Sequence, residues 1–212
     1  MIATDLLDPA VRTSFDDLAS EDSVRTTVAA LEAKGFVVAR ARDRTEARRI
    51  VLDLIPEGSE VSHGVSMTLQ DTGIADALEG RYDDLGARLR QMDRATQGDE
   101  IRRLMTTPSV MLGSVHAVTE DGVLLAGSSS GTQLAAYAAG AGRVILVVGT
   151  QKIVADVDEG LRRIEEHSLP LEDARARVAY GMPASLNKIL IICGELFAGR
   201  ITVVLVDEVL GF

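Results

Sequence analysis

The apolar positions fall into two textures. Over the first half of the chain they recur at spacings of three and four: Phe15 and Leu18, then Val24, Val28 and Leu31. That period predicts amphipathic helices within about residues 1–34, broken near Ser20 and stopped at Gly35. "FVVAR" predicts a short strand. Asp43 followed by Glu46 forms a capping box, and Ile50, Val51, Leu54 and Ile55 then give a helical face that ends at Pro56. "SEVSHG" reads as a brief strand entering a glycine turn, with Thr68 and Asp71 capping a short helix through Ile74. From Asp83 to Met105 a charged helix carries Leu85, Leu89, Met92, Ile101, Leu104 and Met105, with Gly98 as an interruption.

After Pro108 the texture becomes short β-branched runs: "SVMLGS", "HAVTEDGVLLAG", "RVILVVG", "NKILIICGE" and "RITVVLVDE". "RVILVVG" does not alternate, so a strand there is covered on both faces. Helices at Ala135–Ala139 and Asp158–Glu166 flank it. "NKILIICGELFAGRITVVLVDE" reads as an antiparallel hairpin around Gly194–Gly199. Strands alternating with helices predict an α/β fold, a mainly parallel and partly mixed sheet sandwiched by helices, in one domain over 1–212.

Composition narrows the function classes. With 46% hydrophobic residues, 3% aromatics and no Trp, the core must be filled by Val, Leu, Ile and Ala. A net charge of −10 repels phosphate backbones and anionic lipid, which argues against nucleic acid and membrane surfaces as partners. The arginines of "ARARDRTEARR" interleave with acids and read as a solvated face. No apolar run is long enough to span a bilayer, and the N-terminal "MIATDLLDPAVRTSFDD" lacks a secretory pattern; a reducing cytoplasm is the expected compartment. Cys193 is the only cysteine, so neither an intrachain disulfide nor an iron–sulfur cluster can be built from this chain. Its place in "KILIICGE" predicts a small buried hydrophobe.

The candidate chemistry lies in two hydroxyl-rich loops. "GSSSGT" stands between a predicted strand and helix, where backbone N–H groups and hydroxyls face a crevice at the sheet's carboxyl edge. Ser130, Gly131, Thr132 and Gln133 are its candidate ligand-binding residues. The spacing matches neither nucleotide-binding glycine fingerprint, and the competing reading is a helix cap. "SHGVSMTLQDTGI" is a second such loop, contributing Gly64, Ser66 and Thr68. His63 at its start is a candidate acid or base, against a structural hydrogen-bonded role. Lys152 in "VGTQKIV" should emerge at the same edge, where an ammonium neutralises a carboxylate or phosphate; a surface lysine is the alternative. Glu120 is a further candidate catalytic residue, with Asp121 and Glu195 as other carboxylates; each also reads simply as a turn or strand-end residue. His116 reads as part of a strand and turn, and His167 as a helix C-terminal residue. The three histidines lack metal-ligand spacing, so no metal is expected.

The blocks "GSVHAVTEDGVLL", "GTQLAAYAAGAGRVILVVGTQKIVADVDEGLRRI" and "GRITVVLVDEVLGF", with "VSHGVSMTLQDTGI" before them, resemble the LUD-domain family of lactate-utilisation proteins, also known as a domain of unknown function. The resemblance spans nearly the whole chain. It implies a three-layer α/β/α sandwich like that of ribose-phosphate isomerase, glucosamine-phosphate deaminase and CoA transferases. It further implies an association with oxidation of lactate to pyruvate beside iron–sulfur redox subunits, in an oligomer or complex. Relatives often carry a cysteine-rich insert before the segment matching "NKILIICGE"; here "YGMPASLNKILII" has none of those cysteines. The leading expectation is therefore an accessory subunit binding a small anionic metabolite. A stand-alone isomerase- or CoA-transferase-like enzyme and a non-catalytic scaffold are the alternatives.

Overall fold

The fold was established from a computed structural model that describes residues 15–78 and 80–212. The predicted helix before Phe15 falls outside those residues. From Phe15 to Ser20 the chain is not helical; α1 (Glu21–Ala33) begins where the Ser20 side chain accepts from the Ser23 N–H. It ends at Gly35, whose φ of 90° is left-handed and whose Cα hydrogen faces the Glu195 carbonyl, leaving no room for a side chain.

The elements that follow are β1 (Val37–Ala41), α2 (Arg44–Leu54), β2 (Glu60–His63), α3 (Met67–Asp71), α4 (Ile74–Leu78), β3 (Asp83–Asp84), α5 (Leu85–Arg90) and α6 (Gly98–Thr106). Asp43 caps α2 as its spacing predicts. The cap of α3 is Ser66, which accepts from Leu69 N–H at 3.4 Å, while Thr68 lies inside the helix and is buried. Gly98 opens α6 and separates it from α5, so the charged region is two helices.

Next come β4 (Val110–Gly113), β5 (Ala117–Thr119), β6 (Leu124–Ser128), α7 (Thr132–Ala135) running into a π-helical turn (Ala136–Gly140), β7 (Arg143–Gly149) and β8 (Ile153–Val154). Helix α8 (Val157–Arg163) passes through a second π-helical turn (Ile164–Ser168) into α9 (Leu169–Tyr180). β9 (Lys188–Ile192) and β10 (Ile201–Val206) complete the described elements. The sequence pattern gave no sign of α9. Pro170 falls at the junction between the π-helical turn and α9, so "HSLP" continues the helical path instead of ending it.

The strands form two sheets. The larger has the order β1-β10-β7-β4-β2-β3, with every pairing parallel. The smaller has the order β8-β5-β6-β9 and holds the antiparallel pairs β5–β6 and β6–β9. The expected hairpin of β9 with β10 does not form. Six Gly/Ala-punctuated residues between apolar runs suggest a turn, but β10 runs parallel between β1 and β7, and β9 pairs with β6 in the other sheet. Cys193, just beyond β9, is correspondingly exposed, not buried.

β7 is buried from Val144 to Gly149. Its Ile145 and Val147 join Val51, Leu69 and Ile74 in one core; Val144, Leu146 and Val148 join Leu31, Leu124 and Tyr137 in another. Helices α2, α3 and α4 cover the first face of the large sheet. Helices α1 and α7 and the small sheet cover the second, giving the three-layer α/β/α fold. A further cluster, Ala117, Val123, Leu125, Val154 and Ile164, seals the small sheet against α8.

Candidate functional site

Because the large sheet is parallel, β2, β4 and β7 end at one edge, and the segment after each strand meets its neighbours there. Loop 64–66 follows β2, Ser114–His116 follow β4, and Thr150–Lys152 follow β7. The "GSSSGT" loop reaches the same place from β6, and residues 164–186 close over it. Together they enclose a cavity of about 500 Å³.

Gly64, Ser66 and Thr68 line one side of this cavity, Ser130, Thr132 and Gln133 another, and Lys152 its buried end. The remaining candidates are elsewhere. Gly131 is not a lining residue; its φ of 82° turns the loop, and a Cβ there would lie 2.5 Å from Lys188 Cδ. His63 is also outside the lining, with Nδ1 3.2 Å from the Gly64 carbonyl oxygen. Glu120 accepts from Ser23 Oγ at 2.6 Å, tying the β5–β6 turn to α1. Asp121 bonds Thr119 and Lys34, and Glu195 pairs with Arg200 at 2.6 Å. The three carboxylates named from sequence are thus structural partners outside the cavity.

The loop before α7 is not a simple cap. Its helix has no side-chain capping bond, and four α-helical residues give little macrodipole. The hydroxyls bond one another instead: Ser128 Oγ accepts from Gly131 N–H at 2.9 Å and donates to Gln133 Oε1 at 3.1 Å, while Ser130 Oγ and Thr132 Oγ1 are 3.1 Å apart. Ser129 and Ser185 hydroxyls, 2.9 Å apart, tie the loop to the segment after α9.

Lys152 is 1% exposed. Its Nζ donates to Thr68 Oγ1 at 3.0 Å, Ser114 Oγ at 3.3 Å and the Phe212 main-chain oxygen at 3.3 Å. Thr68 and Ser114 spend their own protons on the Leu210 and Val115 carbonyls, so both hydroxyls present lone pairs to the amine. Three acceptors suit the three donors of an ammonium. Burial, reinforced by the nearby Arg163 charge and opposed by Asp71, holds its pKa well below the usual lysine value.

Several cavity residues carried no functional signal in the sequence. His116 Nδ1 accepts from Gly127 N–H at 3.1 Å, which places the proton of the neutral ring on Nε2. Burial first, then Lys152 and Arg163, push its pKa down to about 3, so at neutral pH it is an uncharged ring. The Tyr137 phenol, raised in pKa by burial, donates to the Ser114 carbonyl at 3.5 Å. Arg163, lowered to about 10 by burial, lies behind the wall and donates to the His116 carbonyl at 2.6 Å. From α9, Arg175 and Glu172 line the cavity as a two-pronged pair at 2.7 and 2.6 Å. Their i, i+3 spacing looks like any exposed helix pair, and only the fold of α9 across the cavity distinguishes it. His167, read as a helix end, is buried in the second π-helical turn, 3.4 Å from Asp16.

Chemically the site offers hydroxyls, one amine and a neutral imidazole, in a chain that is otherwise strongly acidic. Among the described residues no group of three or more His, Cys, Asp or Glu is placed to hold a metal. A cluster of the kind carried by cysteine-rich relatives does not fit a chain with one exposed cysteine. No described helix is long and apolar enough to cross a membrane.

The LUD domain model matches residues 24–206. The crystal structure of a DUF162 family protein from Deinococcus radiodurans, solved at 1.70 Å resolution, superposes with a TM-score of 0.55 at 14% identity. The similarity covers 90% of this chain and 100% of that one, and at that identity it speaks to the fold. No curated protein matches the chain.

Proposed function

The chain belongs to the LUD-domain family, and from that premise we propose that it is a subunit that binds a small organic anion, a carboxylate or phosphate ester, in the cavity between its two hydroxyl-bearing loops. On this reading the subunit serves cytoplasmic oxidation of 2-hydroxy acids such as lactate, beside redox subunits that carry the iron–sulfur clusters. The observation that supports it is the convergence of Ser66, Thr68, Ser130, Thr132 and Gln133 on one cavity that has Lys152 at its buried end. An anion there could accept hydrogen bonds from the Ser66, Ser130 and Thr132 hydroxyls and lie in the field of the buried Lys152 amine.

Ligand-dependent stabilisation tests the reading. A panel of carboxylates, sugar phosphates and CoA esters should contain compounds that raise the thermal midpoint. Thr132→Val, which keeps shape and removes a hydroxyl, should abolish that rise without changing the midpoint of the free protein by more than about 2 °C. A midpoint that ignores the whole panel counts against the proposal.

A catalytic version of this reading rests on Glu172, the carboxylate among the lining residues. Isomerase- and transferase-type chemistry needs a carboxylate base or nucleophile beside the ligand. Glu172→Gln would then leave binding intact and remove turnover of any bound compound.

A further inference from the structure

The size and two-sided lining of the cavity point to a ligand class. We propose that the ligand is larger than a three-carbon acid: an amphipathic monoanion whose head lies between the hydroxyl loops and whose apolar body, of about five or more carbons, lies along the 164–186 wall. The inference rests on the anion-binding reading above and specifies what that site takes.

Volume is the first argument. About 500 Å³ equals roughly 16 waters at ~30 Å³ each, and a six-heavy-atom hydroxy acid displaces only about four of them. Cavities of several hundred Å³ typically enclose ligands well above that size. With lactate alone bound, most of the space would hold water against apolar side chains.

Those side chains are the second argument. The amine and most of the hydroxyls come from the loops after β2, β4, β6 and β7. The 164–186 segment adds Ser168, Ser185 and the Glu172–Arg175 pair, and it also presents most of the large apolar lining: Ile164, Leu169, Tyr180, Met182 and Leu186. Tyr180 and Met182 are 59% and 65% exposed, as is Val65 on the facing loop at 65%. All three belong to the lining. Apolar surface is thus left wet on both sides of this cavity, where a ligand body would cover it.

Charge is the third. Arg175 commits Nε and Nη2 to the two Glu172 oxygens, so the 164–186 wall is neutral as a pair. Lys152 is then the one amine in the lining, its charge offset in part by Asp71 outside it, so the lining suits a ligand with a single negative group. A second carboxylate on the ligand would meet Glu172.

Isothermal titration of the full chain with lactate, 2-hydroxyhexanoate, 2-hydroxyoctanoate and malate tests this. Each methylene that leaves water contributes up to about fourfold in affinity. Five added methylenes should therefore tighten 2-hydroxyoctanoate over lactate by at least about 30-fold, with a negative heat-capacity change. Malate should bind no better than lactate. Met182→Asp, at an exposed position where the fold is not at stake, should flatten the dependence on chain length. Equal affinity for lactate and 2-hydroxyoctanoate, or tighter binding of malate, overturns this inference while leaving an anion site. If none of the four acids binds but another anion of the broader panel stabilises the protein, the amphipathic class is wrong and the anion site survives. If nothing in either set binds, both fall.

Discussion

Replacing Lys152 with methionine separates what the amine does for binding from what it does for folding. Met has nearly the same length, no branch and no charge, and it adapts to irregular apolar space. The exchange removes three hydrogen bonds from the ammonium, to Thr68, Ser114 and Phe212, each worth ~1.5–3 kcal/mol, or roughly 4.5–9 kcal/mol together. It also removes a buried ammonium whose effective desolvation penalty is several kcal/mol, in a place where Arg163 adds repulsion. Thr68 and Ser114 keep their donor bonds to Leu210 and Val115, so no N–H or O–H is orphaned. The two terms largely offset, which predicts a variant within about 2 kcal/mol of wild type at pH 7, a midpoint shifted by no more than ~8 °C. The pH dependence has a definite sign. The native pKa lies below the unfolded value, so between the two the unfolded chain binds more protons and wild-type stability rises with pH. Any advantage of Lys152→Met therefore shrinks as the pH approaches the unfolded lysine value. Calorimetric scans from pH 6 to 10 measure this, with anion binding lost in parallel. A variant destabilised by more than about 2 kcal/mol at every pH would show that the amine is there to hold the fold, and the reasoning would fail.

Three other outcomes follow from the same geometry. His116 stays neutral down to about pH 3 when folded, whereas its unfolded ring protonates near pH 6.5. It thus withdraws stability as pH falls through that window, at ~1.4 kcal/mol per pH unit. His116→Gln, which can still accept from Gly127 N–H, should lower the pH of acid unfolding followed by circular dichroism; an unchanged acid limb contradicts the assignment. Gly113→Ala places a methyl where the Tyr137 hydroxyl now lies, and should cost about 1–3 kcal/mol by denaturant titration while disturbing the phenol beside Ser114. Gly131→Ala combines a left-handed φ with contact on the Lys188 stem and should cost roughly 1–2 kcal/mol; a neutral result would mean the loop relaxes freely.

Much of the frame was legible because burial on two faces leaves a mark in one dimension. "RVILVVG" has no polar alternation, and it is a central strand of the parallel sheet. Loops at strand ends follow from the same logic, and Ser66, Thr68, Ser130, Thr132 and Lys152 stand in them. What stayed hidden was pairing at a distance. Whether β9 turns back on β10 or joins β6 depends on contacts about sixty or more residues away, and the local Gly-containing loop suggests the wrong answer. The cavity's other wall was hidden for a related reason. Glu172 and Arg175 are three apart on a helix, a spacing usually spent on solvent, and their meaning comes only from where α9 crosses. His116 reads as part of a strand but sits in the bend just before β5; what gives it chemical character is the Gly127 N–H delivered by β6.

The proposed site stands or falls on the two loops responding to one ligand. Amide chemical shifts followed by NMR during titration with 2-hydroxyoctanoate report this residue by residue. The amides of Ser66 and Thr68 and those from Ser128 to Gln133 should move along curves with a single dissociation constant, and all should be silent in Lys152→Met. Shifts confined to one loop, or two different constants for the two, would contradict a shared anion site.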